Sequence, residues 1–167
     1  EEVQRLYSEA EYAAGALLSA ASSYAQAGDL ANAVRGYNKL LSEYPRAAEA
    51  QRGRYRLAQL QFASGDPVTA QALLADIADD APASDAARDA LLLAGNIHLV
   101  LQRPADAAEA FDLLHERFGS TAASDSAWID LAAYYLSQQR WDEAVTRYRR
   151  AAEAIGSGVL QAQARLG

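Results

Sequence analysis

Apolar residues recur along this chain at i, i+3 or i+4, and i+7, as in Leu17, Ala20, Ala21 and Tyr24, or Trp128, Leu131, Ala132 and Tyr135. That spacing lines one face of an α-helix. It predicts two alternating kinds of helix. Helix A covers roughly 10–27, 47–64, 84–101 and 121–138, and helix B roughly 30–43, 67–79, 104–118 and 141–155. Gly28-Asp29 and Gly65-Asp66 separate A from B in the first two pairs, and glycine there supplies the left-handed residue that ends a helix. Gln102-Arg103 and Gln139-Arg140 occupy the same place in the last two pairs, which requires either backbone strain or another turn. Pro67 and Pro104 fall at the first position of a helix B, where a missing N–H costs nothing. Pro45, Pro82 and Gly119 stop helix B, and Ser84 and Thr121 are placed to N-cap the next helix A.

The pattern is a repeat. Ala33, Ala70, Ala107 and Ala144 are spaced by 37 residues, and the same step links Tyr37, Leu74, Phe111 and Tyr148. It also links Leu40, Ile77, Leu114 and Ala151, and upstream Ala21, Ala58, Gly95 and Ala132. Small residues at 21, 58, 95 and 132, facing the alanines of helix B, are expected to let the two helices of a copy approach closely. The larger Tyr37, Leu74, Phe111 and Tyr148 then fill the gap towards the neighbouring helix A. One hairpin cannot bury its apolar face alone, whereas stacked copies share a core. The expected fold is therefore an all-α solenoid of antiparallel helix pairs in a single block over 1–167, with copies at approximately 10–45, 46–82, 83–119 and 120–156. By the same step, residues 1–8 read as the end of a preceding helix and 157–167 as the start of a following one, with Gly156-Ser157-Gly158 as a linker. The chain does not begin with Met, as expected of a processed or excised segment of a longer array.

The fourth copy carries Trp128, Leu131-Ala132, Tyr135, Ala144 and Tyr148, which resembles the W-x2-L-G-x2-Y…A-x3-F pattern of the tetratricopeptide repeat family. Gly28-Asp29-Leu30…Ala33…Tyr37…Pro45 resembles the second half of that motif. Ala132 departs from the family's glycine, and the 37-residue period exceeds the usual 34, consistent with an extra turn at the start of helix A. The resemblance implies a right-handed α-solenoid. Lengthened repeats with Tyr44-Pro45, or with Ala81-Pro82-x-Ser84-x-x-Ala87-x-x-Ala90, are similar to those of bacterial outer-membrane-associated members, which implies the periplasm or an outer-membrane association.

Composition narrows the function. Fifteen basic against 22 acidic side chains leave a net charge of −7, without the basic stripe of a nucleic-acid binder. Zero cysteines remove disulfides, thiolate ligands and a Cys nucleophile. The longest apolar run, Leu91 to Leu101, is interrupted by Gly95, Asn96 and His98 and is too short to span a bilayer. His98 shares the helix-A register of Tyr24 and Tyr135 and is expected to pack, and His115, beside Glu116, to be solvated. Neither has partners at metal-site spacing. Asp85 and Asp89 read as acids favoured at a helix start, and Asp79-Asp80 as loop residues. No catalytic residue, metal site or cofactor is expected, so the chain reads as no enzyme.

What remains is a surface. In tetratricopeptide repeats the inner groove is lined by helix A, which implies one row of Leu18, Tyr55, Leu92 and Ile129 and another of Ala25, Phe62, Leu99 and Leu136. Ser22, Gln59, Asn96 and Ala133 lie beside them. Only Asn96 matches the Lys, Arg and Asn set of members that clamp a terminal carboxylate. The apolar and aromatic rows suit an amphipathic helix or extended apolar segment of a partner protein or peptide; the alternative is that they pack between adjacent helices A. Arg52 and Arg56, at i and i+4, are placed to hold a partner carboxylate, or else form a solvated face with Glu49. The rival reading is a spacer, or a segment that forms homo-oligomers through open solenoid ends.

Overall fold

The computed structural model describes the backbone of residues 2–166 and the side chains of residues 10–156. Along them run α1 (Glu2–Gln26), α2 (Leu30–Glu43), α3 (Ala48–Ala63), α4 (Pro67–Asp80), α5 (Asp85–Val100), α6 (Pro104–Phe118), α7 (Ala122–Ser137) and α8 (Trp141–Leu166). The inner boundaries fall within a residue or so of those expected, because each is set by a local signal. Ser84 Oγ accepts from the Ala87 N–H at 3.1 Å. Thr121 Oγ1 accepts from the Ser124 N–H at 3.2 Å while Ser124 Oγ accepts from the Thr121 N–H at 2.9 Å, a reciprocal capping box. Caps that the spacing did not suggest are Asp29, accepting from the Asn32 N–H at 3.1 Å, and Asp66, accepting from the Thr69 N–H at 3.0 Å. Side-chain bonds donated by Asn32 Nδ2 to Asp29 and by Thr69 Oγ1 to Asp66, and then these backbone bonds, hold both carboxyls below the ordinary aspartate value.

Three expectations are corrected. Residues 2–8 continue into α1 without a break, since Tyr7-Ser8-Glu9-Ala10 contains no helix breaker. Gly156-Ser157-Gly158 is not a linker, because the backbone of α8 runs through it. Two glycines weaken a helix by about 1 kcal/mol each but, without a proline, do not stop it. Whatever precedes or follows these helices lies outside the described residues. Asp79 and Asp80 belong to the last turn of α4, where Arg54 Nη1 reaches Asp80 Oδ2 at 2.5 Å and lowers the Asp80 carboxyl pKa.

The chain divides into two compact units, Glu1–Asp80 and Ala81–Gly167. In the first, α1 pairs with α2 and α3 with α4, and α3 packs on both α1 and α2. In the second, α5 pairs with α6 and α7 with α8, and α7 packs on both α5 and α6. The architecture is thus an all-α repeat of helical hairpins. Ala21, Ala33, Tyr37 and Leu57 form a buried cluster in the first unit, with Leu18, Ala25, Val34, Leu41, Leu60 and Leu73 packed against it. Close approach within a hairpin is visible at Gly36, where an added Cβ would lie 2.8 Å from Ala21 Cβ, and at Gly95, where it would lie 2.1 Å from Phe111 Cε1. The α2–α3 contact likewise uses Gly53, whose added Cβ would meet Leu40 Cδ2 at 2.6 Å.

The turns answer the question left by Gln102 and Gln139. Both take the left-handed conformation, with φ 58° and 59°, as Gly28 and Gly65 do at 79° and 86°. The repeat geometry is kept and the strain is accepted.

Two outcomes follow for this scaffold. Gly95→Ala gains helix propensity but drives a methyl into the buried Phe111 ring, so chemical denaturation should show a net loss of about 1–2 kcal/mol. Gln102→Gly and Gln139→Gly should each raise stability by about 0.5–1 kcal/mol, because they relieve left-handed strain while adding some unfolded-state entropy.

His98 packs between α5 and α6, its side chain 18% exposed and its Nδ1 3.7 Å from Asp106 Oδ2. Burial outweighs the nearby carboxylate and holds the imidazole pKa below 6.5. The unfolded chain therefore takes up the proton first, so this contribution to stability is complete above about pH 6.5 and is lost as pH falls towards the lower folded-state value. His98→Gln should flatten the fall in melting temperature between about pH 7.5 and about pH 5.5 relative to the parent chain.

Candidate protein-binding surface

The outward rows of helix A arise from packing. Each helix A buries its small-residue face against helix B of its own copy, and α3 and α7 bury a second face against the preceding hairpin of their unit. The remaining face carries the expected contact positions.

In the first unit these positions lie on α1 and α3. Leu18 and Ala25 are half-buried and pack against the Ala21–Tyr37–Leu57 cluster, so they serve the core as well as the surface. Ser22 Oγ and the Tyr37 hydroxyl lie 3.2 Å apart as a hydrogen-bonded pair. Tyr55 and Phe62 on α3 are half-buried, whereas Arg52 and Arg56 are exposed. Arg56 Nη1 donates to Gln59 Oε1 at 3.1 Å. The first unit therefore offers an aromatic strip edged by two guanidinium groups.

The second unit differs in chemistry. Leu92, Asn96 and Leu99 on α5 are half-buried, and Ile129 and Leu136 on the adjacent α7 are 39% and 43% exposed. None of the ten expected contact residues is fully buried. Asp130, next to Ile129 and two periods after Arg56, adds an acid to this face; its incomplete hydration raises its carboxyl above the ordinary value. Sequence reasoning passed over it, and a lone Asp on a solvent-facing helix carries no signal that would have singled it out.

A second cluster in this unit also escaped the sequence. His115 is not solvated: its ring lies against Trp128, centroids 4.3 Å apart and planes tilted by 35°. Its buried Nδ1 has no hydrogen-bond partner among the described residues. The Arg150 guanidinium lies 4.4 Å from the same indole centroid. Asp112 joins the group, accepting from Trp128 Nε1 at 3.2 Å and from Arg150 Nη1 at 2.8 Å, with Arg147 Nη1 at 3.7 Å. The three elements α6, α7 and α8 meet here, and the cluster reads as a polar lock on an aromatic core residue. Elsewhere, Arg88 bridges Asp85 at 2.6 Å and Asp89 at 3.1 Å on the exposed start of α5. Among the described residues no group of three His, Asp or Glu side chains is positioned to hold a metal ion, and no helix is long and apolar enough to cross a membrane.

The family profile for the tetratricopeptide repeat matches residues 15–47, the first hairpin. No curated protein matches the chain by sequence. Solved structures match by fold. A tetratricopeptide repeat protein from Parabacteroides merdae superposes with a TM-score of 0.65 at 17% identity, over 86% of this chain. This chain spans about half, 52%, of that protein's length. BtubC from P. vanneervenii gives a TM-score of 0.67 at 20% identity, covering 90% of this chain and 67% of its own. A MamA fragment from Desulfovibrio magneticus RS-1 gives 0.64 at 17% identity, covering 86% and 76% respectively. At such identities the likeness carries the fold alone. The profile covers the Gly28–Pro45 residues in which the resemblance is read, so residues 15–47 are similar to a tetratricopeptide repeat, and the chain shares the fold of solved tetratricopeptide repeat proteins.

Proposed function

We propose that this chain is a protein–protein interaction scaffold that binds a partner protein or peptide through the outward face of helix A and carries out no reaction. The observation that carries this reading is the apolar face of the second unit, where Ile129 and Leu136 are exposed beside half-buried Leu92 and Leu99. Apolar side chains aligned at helical spacing on two adjacent helices form a shallow trough suited to an amphipathic helix or an extended apolar segment. Asn96 offers an amide to a partner backbone, and Asp130 a carboxylate to a partner cation. On the first unit, Tyr55 and Phe62 provide aromatic contact area and Arg52 and Arg56 suit a carboxylate. Docking onto a preformed helical surface loses little entropy on the scaffold's side. On the Tyr44-Pro45 and Ala81-Pro82 likeness alone, we read the compartment as the bacterial envelope.

The test is affinity capture on the immobilised chain, from cytosolic and envelope extracts, beside an Ile129→Glu/Leu136→Glu variant. A protein retained by the parent chain should be lost by roughly tenfold or more from the variant, as expected for a trough centre. Because both positions are exposed, the melting temperature should barely move. Leu92→Glu/Leu99→Glu should lose the same partner with a larger drop in stability. Undiminished capture by both variants, or collapse of the fold in the first, would sink the assignment of this face.

A further inference from the structure

On the second unit, α5 presents Asp85, Asp89, Leu92, Asn96 and Leu99 at i, i+4, i+7, i+11 and i+14, a single stripe along the helix. One repeat later, the same stripe on α7 holds Ser126, Ile129, Ala133 and Leu136, with Asp130 beside Ile129. Charge on this pair of helices is not balanced. They contain four aspartates, at 85, 89, 125 and 130, and one arginine, at 88. Arg88 spans Asp85 and Asp89, one positive charge for two carboxylates. Asp125 accepts from the Ser120 hydroxyl at 3.0 Å, a neutral donor. Asp130 has no hydrogen bond or ion pair among the described residues, and its hydration is incomplete. Four carboxylates less one guanidinium leave three negative charges.

The repeat itself does not require acids here, since Arg52 and Arg56 stand in the registers of Asp89 and Asp130 on the first unit. Ser19, again in the Asp130 register, is exposed on α1 although α3 packs on that helix. Exposure at this point thus belongs to the register and not to a missing neighbour. The apolar spacing suits a helix. Leu92 and Leu99, like Ile129 and Leu136, are seven residues apart, two turns or about 10.5 Å along their helix. The i and i+7 side chains of an opposing helix recur at the same interval. An extended segment repeats its inward side chains every ~6.8 Å and falls out of step.

We propose that the α5–α7 face takes an amphipathic helix of the partner whose apolar stripe is flanked by lysine or arginine, with the basic side chains lying over Asp89 and Asp130. This rests on the outward face of helix A being the docking surface, and adds the conformation and the charge of what docks there. A cation meeting Asp130 satisfies a carboxylate that the chain leaves unpaired, whereas an acidic flank meets three like charges.

The test is fluorescence anisotropy with a labelled helical peptide of leucine, alanine and lysine, its leucines at i, i+4, i+7 and i+11, beside the same peptide with glutamate for every lysine. The lysine peptide should bind at least about tenfold more tightly than the glutamate peptide. Asp130→Lys should weaken it about three- to tenfold, and Asp89→Lys/Asp130→Lys should reverse the preference between the two peptides. Asp130→Lys removes no contact, so it keeps the test open if circular dichroism shows that the Asp89 change disturbs α5. Glu109→Lys/Glu116→Lys makes the same change of net charge at exposed positions on α6 and should leave both affinities where they were. If it acts as strongly as Asp89→Lys/Asp130→Lys, the attraction is that of the whole acidic chain and the proposal falls. Equal binding of the two peptides, lost in Ile129→Glu/Leu136→Glu, would overturn the charge preference and leave the docking face standing. No binding of either peptide would overturn this inference, while an extract protein captured by the parent chain and lost from Ile129→Glu/Leu136→Glu would still uphold the face.

Discussion

The close approach of helices A and B within each copy is the contact from which the rest of this molecule is built. At Gly36 and Gly95 there is no room for one more carbon, with Ala21 and Phe111 already in the way. Alanines at 33, 70, 107 and 144 hold the matching line, each essentially without solvent exposure. Such contacts involve little side-chain area, but they set the distance at which larger residues can interdigitate with the next helix. Tyr37 and Phe111 reach past the small residues and are buried because that distance is short. Interiors at this density leave little room for change, which is why the small positions tolerate so few side chains.

A hairpin held this tightly needs its turn in one conformation. Gly28 and Gly65 supply it without strain, and Gln102 and Gln139 adopt it despite their side chains. Packing of a whole hairpin outweighs a local cost of about 1–2 kcal/mol. Asp29 and Asp66 help on the other side of the turn by capping the helix that follows. Arg103 at the same place makes no side-chain cap, and Pro104 begins that helix instead.

With the inner faces committed, chemistry varies only where it is free to. The first unit turns arginines and aromatic rings outward, and the second an apolar face with Asp89 and Asp130 in the registers of Arg52 and Arg56. The second unit also holds its most polar packing, the Asp112, Arg147, Arg150, His115 and Trp128 group, at the junction of three helices. Trp128 is 1% exposed, yet its indole N–H finds Asp112 at 3.2 Å, which is the condition for burying a tryptophan without loss.

The helices, their order, their caps at Ser84 and Thr121 and the 37-residue repeat were legible in the amino-acid sequence. These features rest on short-range causes: helical periodicity, capping hydroxyls, proline and glycine at boundaries, and one packing contact repeated four times. The small residues at 21, 58, 95 and 132 were legible for the same reason, but not the partner of Gly95, which the structure sets against the Phe111 ring of its own hairpin. Tertiary structure alone decided exposure and pairing. It made His115 a stacked core neighbour instead of a solvated residue, drew Arg54 to Asp80, and continued α8 through two glycines. It left Ile129 and Leu136 open while half-covering Leu92 and Leu99 in the same rows. Equivalent positions in a repeat share a conformation, but what lies over a side chain depends on neighbours distant in the chain, and a periodic pattern does not record where those neighbours are missing.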